Sequence, residues 1–372
     1  MKKDNWFVLV IGLATLALFF VPTGFENSLL VKDIQYVRAT ILSVDNTGLD
    51  NYSIVTTGEQ KLTVRIDQGT FTKDTLEATN ILLGQKRIDK MFVPGDRALT
   101  VLRLDPSHKK ILEVRASDYY RQDLEWMLFA CFALFLVAFS RFIGLKALLS
   151  FVFTALSFWK VLIPFYLRGY PPLLVAMGIV LTCTVVITLL VAGLNRKGLV
   201  ALLGTTTGII FTALMAIGFG YYFKIPGTSQ EFSESLLYTG FMNLNLSEIF
   251  ISVIFISSAG AVMDVSMDIA AALDEISHRL PNLSQMELMK SGFRIASPII
   301  GSMTTTLLFA YSGSFMFAFM AFMAKGTPLT CIVNLNYISA EILHTLVGSF
   351  GLVLVAPLTA IIGSILYTYR KN

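Results

Sequence analysis

Long apolar runs alternate with one polar stretch along this chain. The first run, WFVLVIGLATLALFFVP at 6–22, follows Met1-Lys2-Lys3, with no small-x-small cleavage site and no lipoprotein cysteine after it. It therefore reads as an uncleaved anchor rather than a signal peptide. Residues 23–123 lose the apolar run. KLTVRI at 61–66 alternates instead, with Leu62, Val64 and Ile66 on one side and Lys61, Thr63 and Arg65 on the other, the period of a half-buried strand. YVRATILSV, RALTVLRL and KKILEV behave alike, and DNTG, DQGT and VPGD separate these strands as turns. A five-stranded barrel or small sandwich is expected. From Leu124 the apolar runs return, at 124–140, 147–167, 171–194, 198–222, 249–268, 298–323 and 338–366. A span needs about 20 residues. The expected fold is an α-helical polytopic membrane protein of about eight transmembrane helices, with a small all-β extracytoplasmic domain between the first and second. The domains are then a membrane anchor at 1–22, the β-rich domain at 23–123 and a seven-helix membrane domain at 124–372.

Composition agrees. With 55% hydrophobic and 15% charged residues, and a mean hydropathy of +0.68, the chain is of the multi-pass membrane class. Of three cysteines, Cys131 and Cys183 fall in apolar runs and Cys331 in a short loop, so the β-rich domain has no disulfide framework. No basic run is long enough for nucleic acid.

The charges orient the spans. With a cytoplasmic amino terminus, the inner segments hold eleven cations: Lys2, Lys3, Arg141, Lys146, Arg196, Lys197, Arg279, Lys290, Arg294, Arg370 and Lys371. The short outer loops hold three, Arg168, Lys224 and Lys325. This positive-inside bias puts both termini in the cytoplasm and the β-rich domain outside a plasma membrane, where long domains are exempt from the count.

Polar groups inside the apolar runs are the candidates for chemistry. In SSAGAVMDVSMDIAAALDE at 257–275, a helix entering at Glu248 reaches Asp264 after sixteen residues, roughly 24 Å into a layer of about 30 Å. Asp268 lies one turn deeper, and Glu275 extends the same stripe while Asp274 points elsewhere. A carboxylate at such depth lines a cavity, pairs with a cation or sits protonated, so Asp264 and Asp268 are candidates for ion or proton coupling. The alternative left open is a helix that emerges into the cytoplasm, its aspartates solvated or paired with Arg279 or Arg294. Ser257 and Gly260 keep this face small, and Gly301, Ser302, Thr304 and Thr305 lie at the depth of Asp264. Ser257, Gly260, Gly301, Thr304 and Thr305 are therefore pocket candidates. GTTTG at 204–208 reads as a small-xxx-small packing face. Lys160, Glu341 and His344 are intramembrane pair candidates: Lys160 either pairs with Glu341, which shares a helix face with His344 at i and i+3, or snorkels outward. Ser284 with Glu287 forms a capping box, opening a short helix that Ser297 and Pro298 interrupt and that lies on the membrane or re-enters it.

Nothing here spells an enzyme. Asp264 and Asp268 share one helix and lack the Gly-x-Gly-Asp setting of an intramembrane aspartyl protease. No Phe-xxx-His accompanies DEISHR, and neither an HExxH motif nor a phosphate-binding loop occurs. The three histidines fall in different compartments, so no metal and no cofactor is expected.

GAVMDVSMDIAAALDEI at 260–276, SGFRIASPIIGSMTTTLLFAY at 291–311 and LVGSFGLVLVAPLTAII at 346–362 resemble the YibE/F-like family of bacterial membrane proteins, as do RFIGLKALLS at 141–150 and the Gly95-Asp96 turn. The resemblance is to the longer, YibE-like type, and implies a paralogous partner subunit lacking the N-terminal domain. Where the family has an acid in a GRDIMGTM-like segment, this chain has ASPIIGSM, so an ion site using that acid is incomplete here. The expected function is permease-like transport of a small solute, coupled to ions or protons. The competing expectation is a non-transporting scaffold that presents the β domain outside.

Overall fold

The alternation of KLTVRI belongs to a longer strand in a computed structural model describing residues 5–26, 33–107 and 110–368. Lys2, Lys3, His108, Arg370 and Lys371 lie outside the described residues. The chain divides into a unit at Gly24–Phe135 and a second formed by Met1–Thr23 with Leu136–Asn372.

The first unit carries strands β1 (Ile34–Asp45), β2 (Leu49–Tyr52), β3 (Val55–Ile66), β4 (Thr75–Leu83), β5 (Arg97–Leu104) and β6 (Ile111–Tyr119). β1 pairs with both β5 and β3, β5 with β6, β3 with β4, and a parallel contact between β4 and β6 closes the ring. The result is the expected five-stranded barrel, with β2 as a hairpin extension of β3. Leu62, Val64 and Ile66 do point inward, joining Val37, Ile41, Leu102 and the fully covered Phe92. Gly58, at φ 115°, backs onto the Gly48 carbonyl, where no Cβ fits.

Partial burial pushes the Asp118 carboxyl up, but the Lys90 ammonium at 3.0 Å, the Tyr119 amide and the Arg121 guanidinium at 2.9 Å outweigh it and hold the group below the ordinary carboxylate value. A depressed folded value stabilises the fold above the unfolded pKa, about 3.9, and that contribution is lost as pH falls through the folded value. Asp118→Asn is therefore expected to lower the barrel's thermal midpoint at pH 7, with the gap to wild type narrowing as pH falls below the unfolded pKa. Circular dichroism melts across that range check it.

In the second unit α1 (Asn5–Phe20) is a 16-residue apolar helix. α2 (Gln122–Ser157) begins in the first unit and continues here, followed by a π-turn at Phe158–Leu162 and α3 (Ile163–Leu167). Then come α4 (Pro172–Val191), α5 (Arg196–Phe223), α6 (Ser233–Tyr238), α7 (Leu246–Arg279), α8 (Gln285–Ser312), α9 (Met316–Ala324), α10 (Leu329–Val333) and α11 (Asn336–Thr368). Among the described residues, six stretches are long and apolar enough to cross a membrane. One of them, Gln122–Leu167, has 46 residues, twice what a span needs. It breaks at Arg141, whose φ of 48° and ψ of −122° are not helical. That is where the sequence places a boundary between two spans.

One expectation changes. The helix opened by the Ser284–Glu287 capping box does not stop at Ser297 and Pro298 but runs unbroken to Ser312. Proline removes only one backbone donor, and in apolar surroundings every other amide gains by staying in the helical ladder. The expected span at 298–323 is thereby replaced by α8, a single turn at Gly313–Phe315 and the short α9.

The core of this unit is α5, α7 and α11, drawn together by glycines. Gly204 faces Thr359 and Ser266, Gly208 faces Val262 and Val355, and Gly351 faces Thr212. Ser266 Oγ donates to the Ala201 carbonyl at 2.9 Å and lies 3.1 Å from Thr359 Oγ1, all fully buried. GTTTG is a packing face, as its spacing suggests.

Candidate functional site

α7 is positioned by both ends and by one face. Asn245 caps its first turn by accepting the Glu248 amide at 3.1 Å. Ser252, Phe255, Ala259, Val262, Ser266, Ile269 and Leu273 are buried along one side. Ser252 Oγ lies 2.6 Å from the Tyr166 hydroxyl of α3. The helix cannot rotate without breaking these contacts, which fixes where its opposite side points.

That opposite side holds Ser257, Gly260, Asp264, Asp268 and Glu275, all exposed in the chain. The sequence-predicted stripe is real. Glu275 is engaged by Arg279 one turn later at 2.5 Å. Asp264 and Asp268 form no hydrogen bond and no ion pair among the described residues, so neither Arg279 nor Arg294 neutralises them. Two carboxylates one turn apart, without a counter-charge among the described residues, leave acceptor oxygens open to a cationic partner.

The expected pocket between this stripe and α8 is not assembled. Thr304 Oγ1 donates back to the Ile300 carbonyl at 2.8 Å and Thr305 Oγ1 to the Gly301 carbonyl at 3.3 Å. A Cβ placed at Gly260 or Gly301 would meet nothing within 4 Å. These glycines open a surface and do not line a closed cavity of this chain.

Farther along α7 toward its start, the structure makes a connection that sequence reasoning missed. Glu341 does not take Lys160 as its partner. Glu341 Oε2 lies 3.6 Å from His344 Nδ1, and the other ring nitrogen, Nε2, is hydrogen-bonded to Ser257 Oγ. The Tyr311 ring of α8 covers the imidazole at 4.4 Å between centroids. Lys160 sits in the π-turn after α2 and forms no ion pair among the described residues. A signal existed for this cluster: Ser257 lies eleven residues into α7 and His344 eight into α11, similar depths on helices that run the same way. Tyr311, at the far end of antiparallel α8, reaches the same level.

A family model described as YibE/F-like protein matches residues 128–369. No curated protein and no solved structure matches the chain. The match covers the helices that carry both sites and leaves the barrel outside it.

Proposed function

We propose that this chain, which belongs to the YibE/F-like family, is a permease-like protein of the bacterial plasma membrane that moves a small solute by coupling to an ion or proton gradient, with Asp264 as the coupling carboxylate. The observation that carries this reading is the pair Asp264 and Asp268, one turn apart in a helix long and apolar enough to cross a membrane and without a cation partner among the described residues. An unpaired carboxylate at such depth is retained where its charge is used. Asp268, one turn nearer the cytoplasm, is the relay between Asp264 and inner water. Ser257 and Gly260 leave room beside the path. No metal, cofactor or nucleic acid enters this reading, and membrane lipid is the constant surroundings. Eleven inner against three outer cations support eight spans, cytoplasmic termini and an extracytoplasmic barrel.

The open face supports a second reading. A Cβ at Gly260 or Gly301 would meet nothing within 4 Å, and small residues on a membrane helix mark where another helix packs. A paralogous subunit without the barrel fits there, and the chain then serves as a scaffold. Reconstitution in vesicles separates the readings. Wild type should dissipate an imposed ion or proton gradient, and Asp264→Asn is expected to cut that flux about tenfold or more. Unchanged flux in the variant removes the coupling role. No flux with any assembled partner favours the scaffold.

A further inference from the structure

We infer that His344, set between Glu341 and Ser257, is the outer proton-accepting group of the chain, and that it delivers protons along the face of α7 toward Asp264. This rests on the coupling reading above and names its ion. Three helices build the site. α11 supplies Glu341 and His344, α7 supplies Ser257 and α8 supplies Tyr311. The side chains of His344 and Glu341 are only 12% and 18% exposed, so the pair is largely covered by protein at membrane depth. Histidine is the side chain that can take up and release a proton at either of two ring nitrogens. A purely structural contact needs no titratable pair here; an asparagine would hold Ser257 equally well.

The groups facing the ring are Glu341 from its own helix, the Ser257 hydroxyl from α7 and the Tyr311 phenol ring from α8. Among the described residues no cation stands with them, and Lys160 is not a partner. The two ring nitrogens therefore have different neighbours. Nδ1 faces the carboxylate and Nε2 faces the hydroxyl, the asymmetry a proton relay requires.

The step balances as follows. A proton from outer water is taken up at Nδ1 on the Glu341 side. The Nε2 proton passes to Ser257 Oγ, and the hydroxyl proton of Ser257, donated at rest to the Ile254 carbonyl at 3.0 Å, breaks that hydrogen bond and leaves to water beside Gly260 and on to the Asp264 carboxylate. One proton enters and one is delivered. A flip of the ring restores the starting tautomer. From Ser257 to Asp264 is seven residues along one face of α7, about 10 Å, and a Cβ at Gly260 in that interval would meet nothing within 4 Å.

The test uses the full chain. The sequence has three histidines, so His108→Gln with His278→Gln leaves His344 as the one imidazole to follow by nitrogen NMR in lipid nanodiscs. Its two ring nitrogens are expected to exchange protons with outer water, and Glu341→Gln to slow that exchange. In vesicles holding a trapped pH dye, His344→Gln, which keeps a hydrogen bond to Ser257, is expected to slow proton entry about tenfold or more. Ring nitrogens that hold their protons without exchange overturn the inference. So does proton entry that survives His344→Gln but stops with Asp264→Asn, a result that leaves the coupling role of Asp264 standing. Proton entry indifferent to both substitutions, or absent in wild type, overturns the relay and the proton-coupled reading together.

Discussion

Gly208→Leu is expected to leave little correctly folded protein. A Cβ at this position would come within 2.7 Å of Val262 Cγ1 on α7 and 2.9 Å of Val355 Cβ on α11, both below any ordinary contact. The obstruction comes from two helices at once, so α5 cannot relieve it by shifting toward either. Val262 and Val355 are fully buried, as is Ile209 beside the substitution, and a closely packed interior has no free volume to absorb a leucine. Overpacking of this kind costs about 3 kcal/mol or more, over a hundredfold in the folded fraction. The measurement is the fraction of detergent-solubilised chain that remains monodisperse through a thermal ramp. Gly260→Leu on the open face of α7 is the matched comparison. Nothing lies within 4 Å of that position, and its effect on the isolated chain is expected to stay within about 0.5 kcal/mol. Equal losses in the two variants would show that the tight approach at Gly208 does not hold these helices together.

The contrast between these glycines also marks how far the sequence could be read. Periodicity places Asp264, Asp268 and Glu275 on one stripe of one helix, because the helical repeat is a local property. Alternation places Leu62, Val64 and Ile66 inside the barrel for the same reason. The spacing of Gly204 and Gly208 announces a packing face, but not that Val262 and Val355 fill it. Ser257 and His344 are 87 residues apart, and no local rule joins them. Nor could composition tell that Glu341 would turn to His344 and leave Lys160 aside, since three ionisable groups at comparable depth allow more than one pairing. Pro298 misleads in the other direction. In water a proline in that place commonly ends a helix, whereas here the surrounding apolar phase makes termination more costly than one lost bond.

The barrel holds the second large effect, at two paired strands whose inward rows each carry one amide. Inward positions of β4 run Leu76, Ala78, Asn80, Leu82, and those of β3 run Gln60, Leu62, Val64, Ile66, so each strand carries one amide where an apolar residue is expected. Gln60 and Asn80 are direct partners across the two strands. Asn80 Nδ2 donates to Gln60 Oε1 at 3.0 Å and to the Lys90 carbonyl at 2.6 Å. Gln60 Nε2 donates to the Phe92 carbonyl at 3.0 Å and to Asn46 Oδ1 at 2.8 Å, and Gln60 Oε1 accepts the Phe92 amide at 3.1 Å. This single side chain, with no exposed surface, pins the segment before β5 so that the Phe92 ring fills the barrel against Tyr119. Gln60→Met keeps the volume but strands both the Phe92 amide and carbonyl and one donor of Asn80. Leaving buried polar groups unpaired costs about 1–3 kcal/mol each, and partial relaxation of the segment brings the expected total to about 3–5 kcal/mol. Hydrogen exchange on the full chain reads it out, as faster exchange of amides in β3, β4 and residues 90–92. Thr63→Ala, which removes only the exposed 2.8 Å contact with Ser43, should leave the same amides within about 0.5 kcal/mol of wild type. Protection in Gln60→Met equal to that in Thr63→Ala would mean that packing of Phe92 alone closes the barrel, without its amide pair.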